Sequence, residues 1–331
     1  MSGMATLSDK LIFFLGVNTG FVANGEPDRR FLDFYRERSS PALHCAIVGN
    51  VVVPGGYGSN SSSPTISSSQ VWRHLAAAIC DAGSIPGVQL ATAWKGYEGA
   101  RKFLAADGDI VLEQARQLIQ QYSRADLARL MGAFRKGAAM AIGHGFRHVQ
   151  THAAHGYLLS LLVDDRLYPL AAYVRDELNS LADWLRTQSI ESSLRISLRT
   201  GNNAFDEEGA ERAQDFLCQL AFDFIDLSSG FYNINKRLIY PARPDILVAR
   251  HQESLAVALR HPQRCFIVSG RVSPKAAHHP ANSHIGICRD LIANPAFLAQ
   301  PHDGCRNANK CHYYSRGEDH ISCVRWSGQT S

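Results

Sequence analysis

The chain has 331 residues, 45% of them hydrophobic, enough to bury a substantial core as one large domain or two small ones. Its 34 basic and 30 acidic residues leave a formal charge of only +4 and form no long basic block, which argues against a nucleic-acid partner. The N-terminal MSGMATLSDK lacks a basic region ahead of an apolar stretch, and no later run approaches the roughly 18 apolar residues of a membrane span, so a soluble, cytoplasmic protein with no membrane partner is expected.

In chain order, LIFFLGV (11–17) is the first strand candidate, with Asn18 at its end. HCAIVGNVVV (44–53) is the second, and the polar YGSNSSSPTISSS (57–69) after it reads as a surface loop. A helical pattern over 68–82 leads to GVQLA (87–91), and a second over 124–141 leads to FRHVQTH (146–152). Ser123 and Asp126 have the spacing that satisfies two free backbone donors at a helix start. LRISL (194–198), FDFIDLS (222–228), RCFIVSG (264–270) and SHIGIC (283–288) complete a set of eight strand candidates.

Mostly continuous apolar strands alternating with amphipathic helices imply a parallel sheet covered by helices. Eight such units in this length fit an α/β fold of the closed (β/α)8 TIM-barrel kind, a single domain over 1–297 with a cysteine-containing tail over 298–331 packed on it. An open doubly wound sheet is the alternative, but no Gly-x-Gly-x-x-Gly follows the first strand. In a barrel the chemistry sits where the strands end. Asn18, Gly49, Gln89, His152, Arg195, Ser228, Gly270 and Arg289 fall at or just past those ends, a ring of donors and acceptors with two cations that suits an anionic, ring-containing ligand. Taken alone, Gln89 could instead tie two strands together and Arg195 could serve a salt bridge.

THAAHGYLLS (151–160) places His152, His155 and Tyr157 on a strand-to-loop turn. The imidazoles can polarise a carbonyl or phenolate oxygen, and the tyrosine can deliver a proton. Packed core histidines and a metal site are the competing readings; a metal needs a third ligand, and no His-Glu-x-x-His is present. Four of the eight cysteines, Cys45, Cys80, Cys218 and Cys265, lie in apolar contexts that suit small buried hydrophobes. Cys305, Cys311 and Cys323 crowd the tail, where His302 or His312 could add to a structural zinc set, although a packed tail with no metal is expected.

The segments FLGVNTG, IVGNVVVPGGYG, VQLATAW, FRHVQTHAAHGYLLS, LRIS, IDLSSG and GICRDLIANP, in this order, resemble the old yellow enzyme family of FMN-dependent (β/α)8 ene-reductases and their dehydrogenase relatives. HAAHGYL is the most specific of them. The resemblance implies FMN as cofactor, contacted by Asn18, Gly49, Gln89 and Arg195, with Gly270 and Arg289 on its phosphate. It implies His152 and His155 on the substrate oxygen and Tyr157 as proton donor, with NADH or NADPH as electron source. The substrate would be a small unsaturated compound bearing a carbonyl. A same-fold dehydrogenation, isomerisation or redox-neutral reaction, and a flavin-free binding barrel, are the alternatives. Oligomeric state stays open, a homodimer included. Two departures bear on the substrate: TAWK (92–95) replaces the family's HAGR, and DDRLYPLAAYVRDE replaces a longer loop. In the tail, Ala308 stands where the larger members have the second cysteine of an iron–sulfur cluster.

Overall fold

The computed structural model describes residues 10–272 and 279–326. All eight apolar runs form strands of one closed parallel barrel, a (β/α)8 TIM barrel. In chain order the elements are β1 (Ile12–Phe14), a small hairpin of β2 (Val22–Ala23) and β3 (Glu26–Pro27), α1 (Arg29–Arg38), β4 (Cys45–Val52), α2 (Gln70–Asp81) and β5 (Ile85–Ala91). Then come α3 (Gly108–Ile119), α4 (Arg124–Gly143), β6 (His148–Ala153), α5 (Leu158–Leu162), α6 (Ala171–Thr187), β7 (Glu191–Ser197), α7 (Asn203–Cys218) and β8 (Phe224–Ser228). α8 (Lys236–Ile239), α9 (Pro244–Arg260), β9 (Cys265–Val268), β10 (Ser283–Ile287) and α10 (Arg289–Ala293) complete the barrel. The seam closes where Phe13 pairs with Cys45 and Phe14 with Ala46.

Local chemistry explains the boundaries. Ser123 and Asp126 form the expected reciprocal cap on α4, and Asp28 and Asp107 cap α1 and α3 with their carboxylates. β1 is shorter than the 11–17 run: past Phe14 the chain makes only an isolated bridge from Val17 to Gly49, where the Tyr35 hydroxyl accepts from both backbone N–H groups, at 3.3 and 3.2 Å. Asn18 therefore lies in the loop beyond the strand. Two of the four cysteines expected to be buried depart from that expectation. Trp72, Leu75, Ala76 and Ile79 form the buried stripe of α2, so Cys80, turned about 100° past Ile79, is exposed. Cys265 is part-exposed, while Cys45 and Cys218 are buried.

Two kinds of core result. Between sheet and helices lies a continuous apolar layer. Inside the barrel, Phe13, Leu15, Cys45, Ile47, Phe224 and Ile267 form a separate apolar plug. The alternation of β6, β7 and β8 sends a polar series inward instead: His148, Gln150 and His152; Glu191, Ser193 and Arg195; Asp226 and Ser228. Residues past 298 contact the barrel at several points. The Ile321 N–H donates to the Thr19 carbonyl at 2.8 Å, the Trp326 indole to the Ile292 carbonyl at 2.9 Å, and the Cys305 N–H to Asp290 Oδ1 at 2.8 Å.

Candidate active site

A pocket of about 1380 Å³, its open mouth included, lies at the C-terminal ends of the strands. Asn18, Gln89, His152, His155, Tyr157, Arg195, Gly270 and Arg289 all line it, so the fold brings together eight residues drawn from six strands and the loops that follow them. Gly49 stands behind Gln89 rather than at a strand end. It is inside β4, and a Cβ there would come within 2.9 Å of the Gln89 Cβ.

The histidines sit where strand turns to loop. His152 is next to last in β6, opposite Arg195 across the ladder. The Ala154 N–H donates to His152 Nδ1 at 3.2 Å, so the imidazole proton is on Nε2. His155 adopts a left-handed backbone, φ +64°, which is uncommon outside glycine. Its Nε2 lies 2.7 Å from Ser228 Oγ. That hydroxyl already accepts from Arg195 and Arg250, at 3.5 and 3.4 Å, so its own proton goes to His155 Nε2 and the imidazole proton is on Nδ1. The two rings are 5.1 Å apart. Burial, then the Arg195 charge, lowers His152 to about 3 and drives His155 well below the usual imidazole range. Both are neutral hydrogen-bond donors.

Tyr157 is the N-cap residue just before α5, with its ring 5.0 Å from that of His152. Tyr232 stacks on it at 5.6 Å and 9°, and Tyr97 meets it edge-on at 5.5 Å. Burial drives the Tyr157 phenol well above its ordinary value, so it holds its proton.

Below these groups runs a buried polar chain. Gln89 Nε2 donates to Gln150 Oε1 at 2.6 Å, and Gln150 Nε2 donates to Asp226 Oδ2 at 3.1 Å and to Ser193 Oγ at 3.0 Å. Asp226 Oδ2 also accepts from Arg195 at 2.9 Å. Gln89 thus ties β5 to β6, and Arg195 is held by an ion pair. Both still face the pocket. Arg250, from α9, donates to Ser269 Oγ at 2.6 Å, and burial followed by repulsion from Arg195 pushes it down to about 9. Arg289, the first residue of α10, donates to the Pro241 carbonyl.

The sequence reading missed Gln150, Asp226, Arg250, Lys236 and Tyr232. Polar residues at every second position of β6, β7 and β8 were a usable signal for the first two. Nothing local marked Arg250 and Lys236, which enter from helices. The cysteine tail supplies part of the pocket wall, from Cys311 to Ser315. Among the described residues no group of three or more His, Cys, Asp or Glu side chains is arranged to hold a metal. Nor, among the described residues, is any helix long and apolar enough to cross a membrane.

Fold and pocket define a (β/α)8-barrel protein with a cationic, tyrosine-lined cavity at its C-terminal face. No protein-family model matches the chain. It is 24% identical over 239 residues to the NADPH dehydrogenase of Geobacillus sp. (strain WCH70), covering 67% of this chain and 67% of that protein. It is 30% identical over 233 residues to the NADPH dehydrogenase of Geobacillus thermodenitrificans (strain NG80-2), covering 64% of each. The NADH-dependent flavin oxidoreductase iliE of Neonectria sp. (strain DH2) matches at 24% over 179 residues, which are 46% of this chain and 23% of that one. The chain thus spans about two thirds of the Geobacillus proteins and under a quarter of the Neonectria protein. These likenesses relate it to flavin- and NAD(P)H-linked oxidoreductases. In fold it is similar to the 6-hydroxypseudooxynicotine amine oxidase (HisD) of Pseudomonas geniculata N1, with a TM-score of 0.72 at 15% identity, over 98% of this chain and 52% of that chain.

Proposed function

We propose that this protein is an FMN-dependent oxidoreductase that passes hydride from NADH or NADPH through FMN to an alkene conjugated to a carbonyl. The observation that carries this reading is the pair of neutral histidines whose Nε2 (His152) and Nδ1 (His155) protons have no protein partner among the described residues, beside a protonated Tyr157. The donor set suits a bound anionic ring system. Arg195 Nε, Arg250 Nε and Arg289 Nη1 are buried without partners, and an acceptor there would relieve the cost of leaving them unpaired. Asn18, Gln89 and Arg195 would hold the ring portion, with Gly49 leaving room for the Gln89 side chain behind it, and Gly270 and Arg289 the phosphate. FMN, when bound, would supply the hydride chemistry.

The chain's own part is binding and proton delivery. Two neutral N–H donors in a water-poor site stabilise negative charge growing on a substrate oxygen without needing to reorganise. The Tyr157 O–H supplies the proton for the carbon next to the carbonyl. Tyr232, stacked on that ring, and Tyr97, edge-on to it, hold the phenol in place. Asp226 fixes Arg195 so that its charge stays aimed into the pocket.

Absorption spectra before and after reconstitution with FMN, with mass spectrometry of any released cofactor, test the first half; a protein colourless under both conditions refutes it. Tyr157→Phe tests the second. Alkene-dependent reoxidation of the reduced holoprotein should slow by about 10²- to 10⁴-fold while reduction by NAD(P)H is unchanged. Equal reoxidation rates would assign the proton to another donor.

A further inference from the structure

Past Tyr232 the pocket reaches a second polar corner. Lys236, the first residue of α8, is 1% exposed. Its ammonium donates to Ser315 Oγ at 2.9 Å and lies 5.8 Å from the Tyr232 ring centre and 5.9 Å from that of Phe103. No carboxylate pairs with it among the described residues, and burial pulls it down to about 8 with no acid to offset the shift. His312 is on the same corner, 5.6 Å from Phe103 and 4.1 Å from Tyr240, and is 7% exposed. Neither of its ring nitrogens has a hydrogen-bond partner.

A buried ammonium with one neutral acceptor, beside an imidazole with none, is costly in the free protein, and the cost is relieved when a ligand brings an acceptor oxygen. The acceptor's charge can be inferred from the donors. Burial, Arg289 and Lys236 lower His312 to about 3, so beside the Lys236 ammonium the corner presents one neutral N–H, with the Arg289 guanidinium, already bonded to the Pro241 carbonyl, as the next cation. That set matches a monoanion. A phosphate dianion is better met by the paired forks of arginines. The corner also has a fixed position relative to the site above it. Tyr232 is a neighbour of both Lys236, whose ammonium is 5.8 Å from its ring centre, and Tyr157, which stacks on it at 5.6 Å. An anion on Lys236 would be one aromatic ring away from the proton donor.

We propose that Lys236, His312 and Ser315 form a carboxylate subsite, and that the substrate is a flat conjugated compound carrying a carboxylate at the end remote from its activating oxygen. The carboxylate accepts from the Lys236 ammonium and from one His312 N–H. The unsaturated body lies along the Tyr232 face, and the far oxygen reaches His152 and His155. The tail therefore selects substrate, because His312 and Ser315 come from it. The identity of the substrate rests on the oxidoreductase reading above; the anion site itself does not.

Calorimetric titration of the FMN-reconstituted protein with 4-hydroxycinnamate and with its neutral amide tests the subsite. The acid should bind about ten- to a hundredfold more tightly. Lys236→Met and Lys236→Gln should each bring the acid down to the affinity of the amide and leave the amide unchanged. Equal binding of acid and amide by the unaltered protein, no binding of either, or a preference that survives both substitutions would overturn the proposal. So would a loss confined to NADPH affinity, which would assign the corner to a nucleotide phosphate. A protein that takes up no flavin yet still discriminates acid from amide would keep the subsite and refute the oxidoreductase reading.

Discussion

Replacing Asp226 by asparagine removes a buried negative charge from the barrel interior and leaves Arg195 facing a neutral amide. Asp226 is fully buried, the Arg195 side chain is 11% exposed, and they meet at 2.9 Å. Burial alone raises the Asp226 carboxyl, and the charges of Arg195 and Arg250 pull it part of the way back. Removing one partner of such a pair costs about 3–5 kcal/mol, because a charge is left buried and uncompensated. Two features favour the low end. Asp226 Oδ1 has no partner, so an amide nitrogen can take its place without displacing a bond. Arg195 also keeps its long contact to Ser228 Oγ at 3.5 Å. With about 2.1 cal/mol/K of unfolding entropy per residue, a loss of about 3 kcal/mol in a chain of 331 residues lowers Tm by about 4 °C. Adding Arg195→Met removes the stranded charge and should recover most of the loss. Scanning calorimetry of the two single variants and the double variant provides the measurement. An Asp226→Asn protein melting within about 1 °C of the parent, or a double variant as unstable as both singles summed, would refute the reasoning.

Three further outcomes can be checked. At the other end of the barrel, Glu191 lies 2.5 Å from His148 and 2.8 Å from His44; burial would raise its carboxyl, but the two histidine bonds prevail and hold it at about 2, below its ordinary 4.5. A depressed carboxyl stabilises the fold above pH 4.5, and this contribution, no more than about 3 kcal/mol, fades as pH falls toward 2. Glu191→Gln should therefore flatten the acid limb of a Tm–pH curve, and parallel curves would contradict it. His152 should show no imidazole titration between pH 5 and 8 by NMR of the labelled ring, whereas a midpoint near 6.5 would mean that it is neither desolvated nor neutral. Gly156→Ala forces a Cβ to within 3.0 Å of the Phe231 ring at φ +76°, and should cost about 1–3 kcal/mol while displacing His155. An unchanged melting temperature would show that the turn relaxes freely.

The barrel itself was legible in the chain, because a strand buried on both faces must be an apolar run and a parallel pair must be joined by a long crossover. All eight runs are strands, and Ser123 and Asp126 cap α4 as their spacing requires. Boundaries were harder to read, since a side chain from elsewhere can take up backbone donors at a strand end, as the Tyr35 hydroxyl does at Val17 and Gly49. The cluster of His152, His155 and Tyr157 was visible as a local pattern, for all three lie within six residues. Its protonation was not. Neutral histidines follow from burial and from Arg195, and the position of each ring proton follows from Ala154 and Ser228, one local and the other 73 residues away. Gln89 and Arg195 appeared in sequence as candidates with two readings each, and the fold gives them both at once, because Gln150 and Asp226 hold them from below while the pocket lies above. Lys236 and His312 carry no motif and are 76 residues apart in the chain. Only barrel closure, with the tail brought to its mouth, puts an ammonium without a carboxylate partner and an imidazole without a hydrogen-bond partner, among the described residues, on one corner, because burial and pairing are properties of the packed chain and not of any segment.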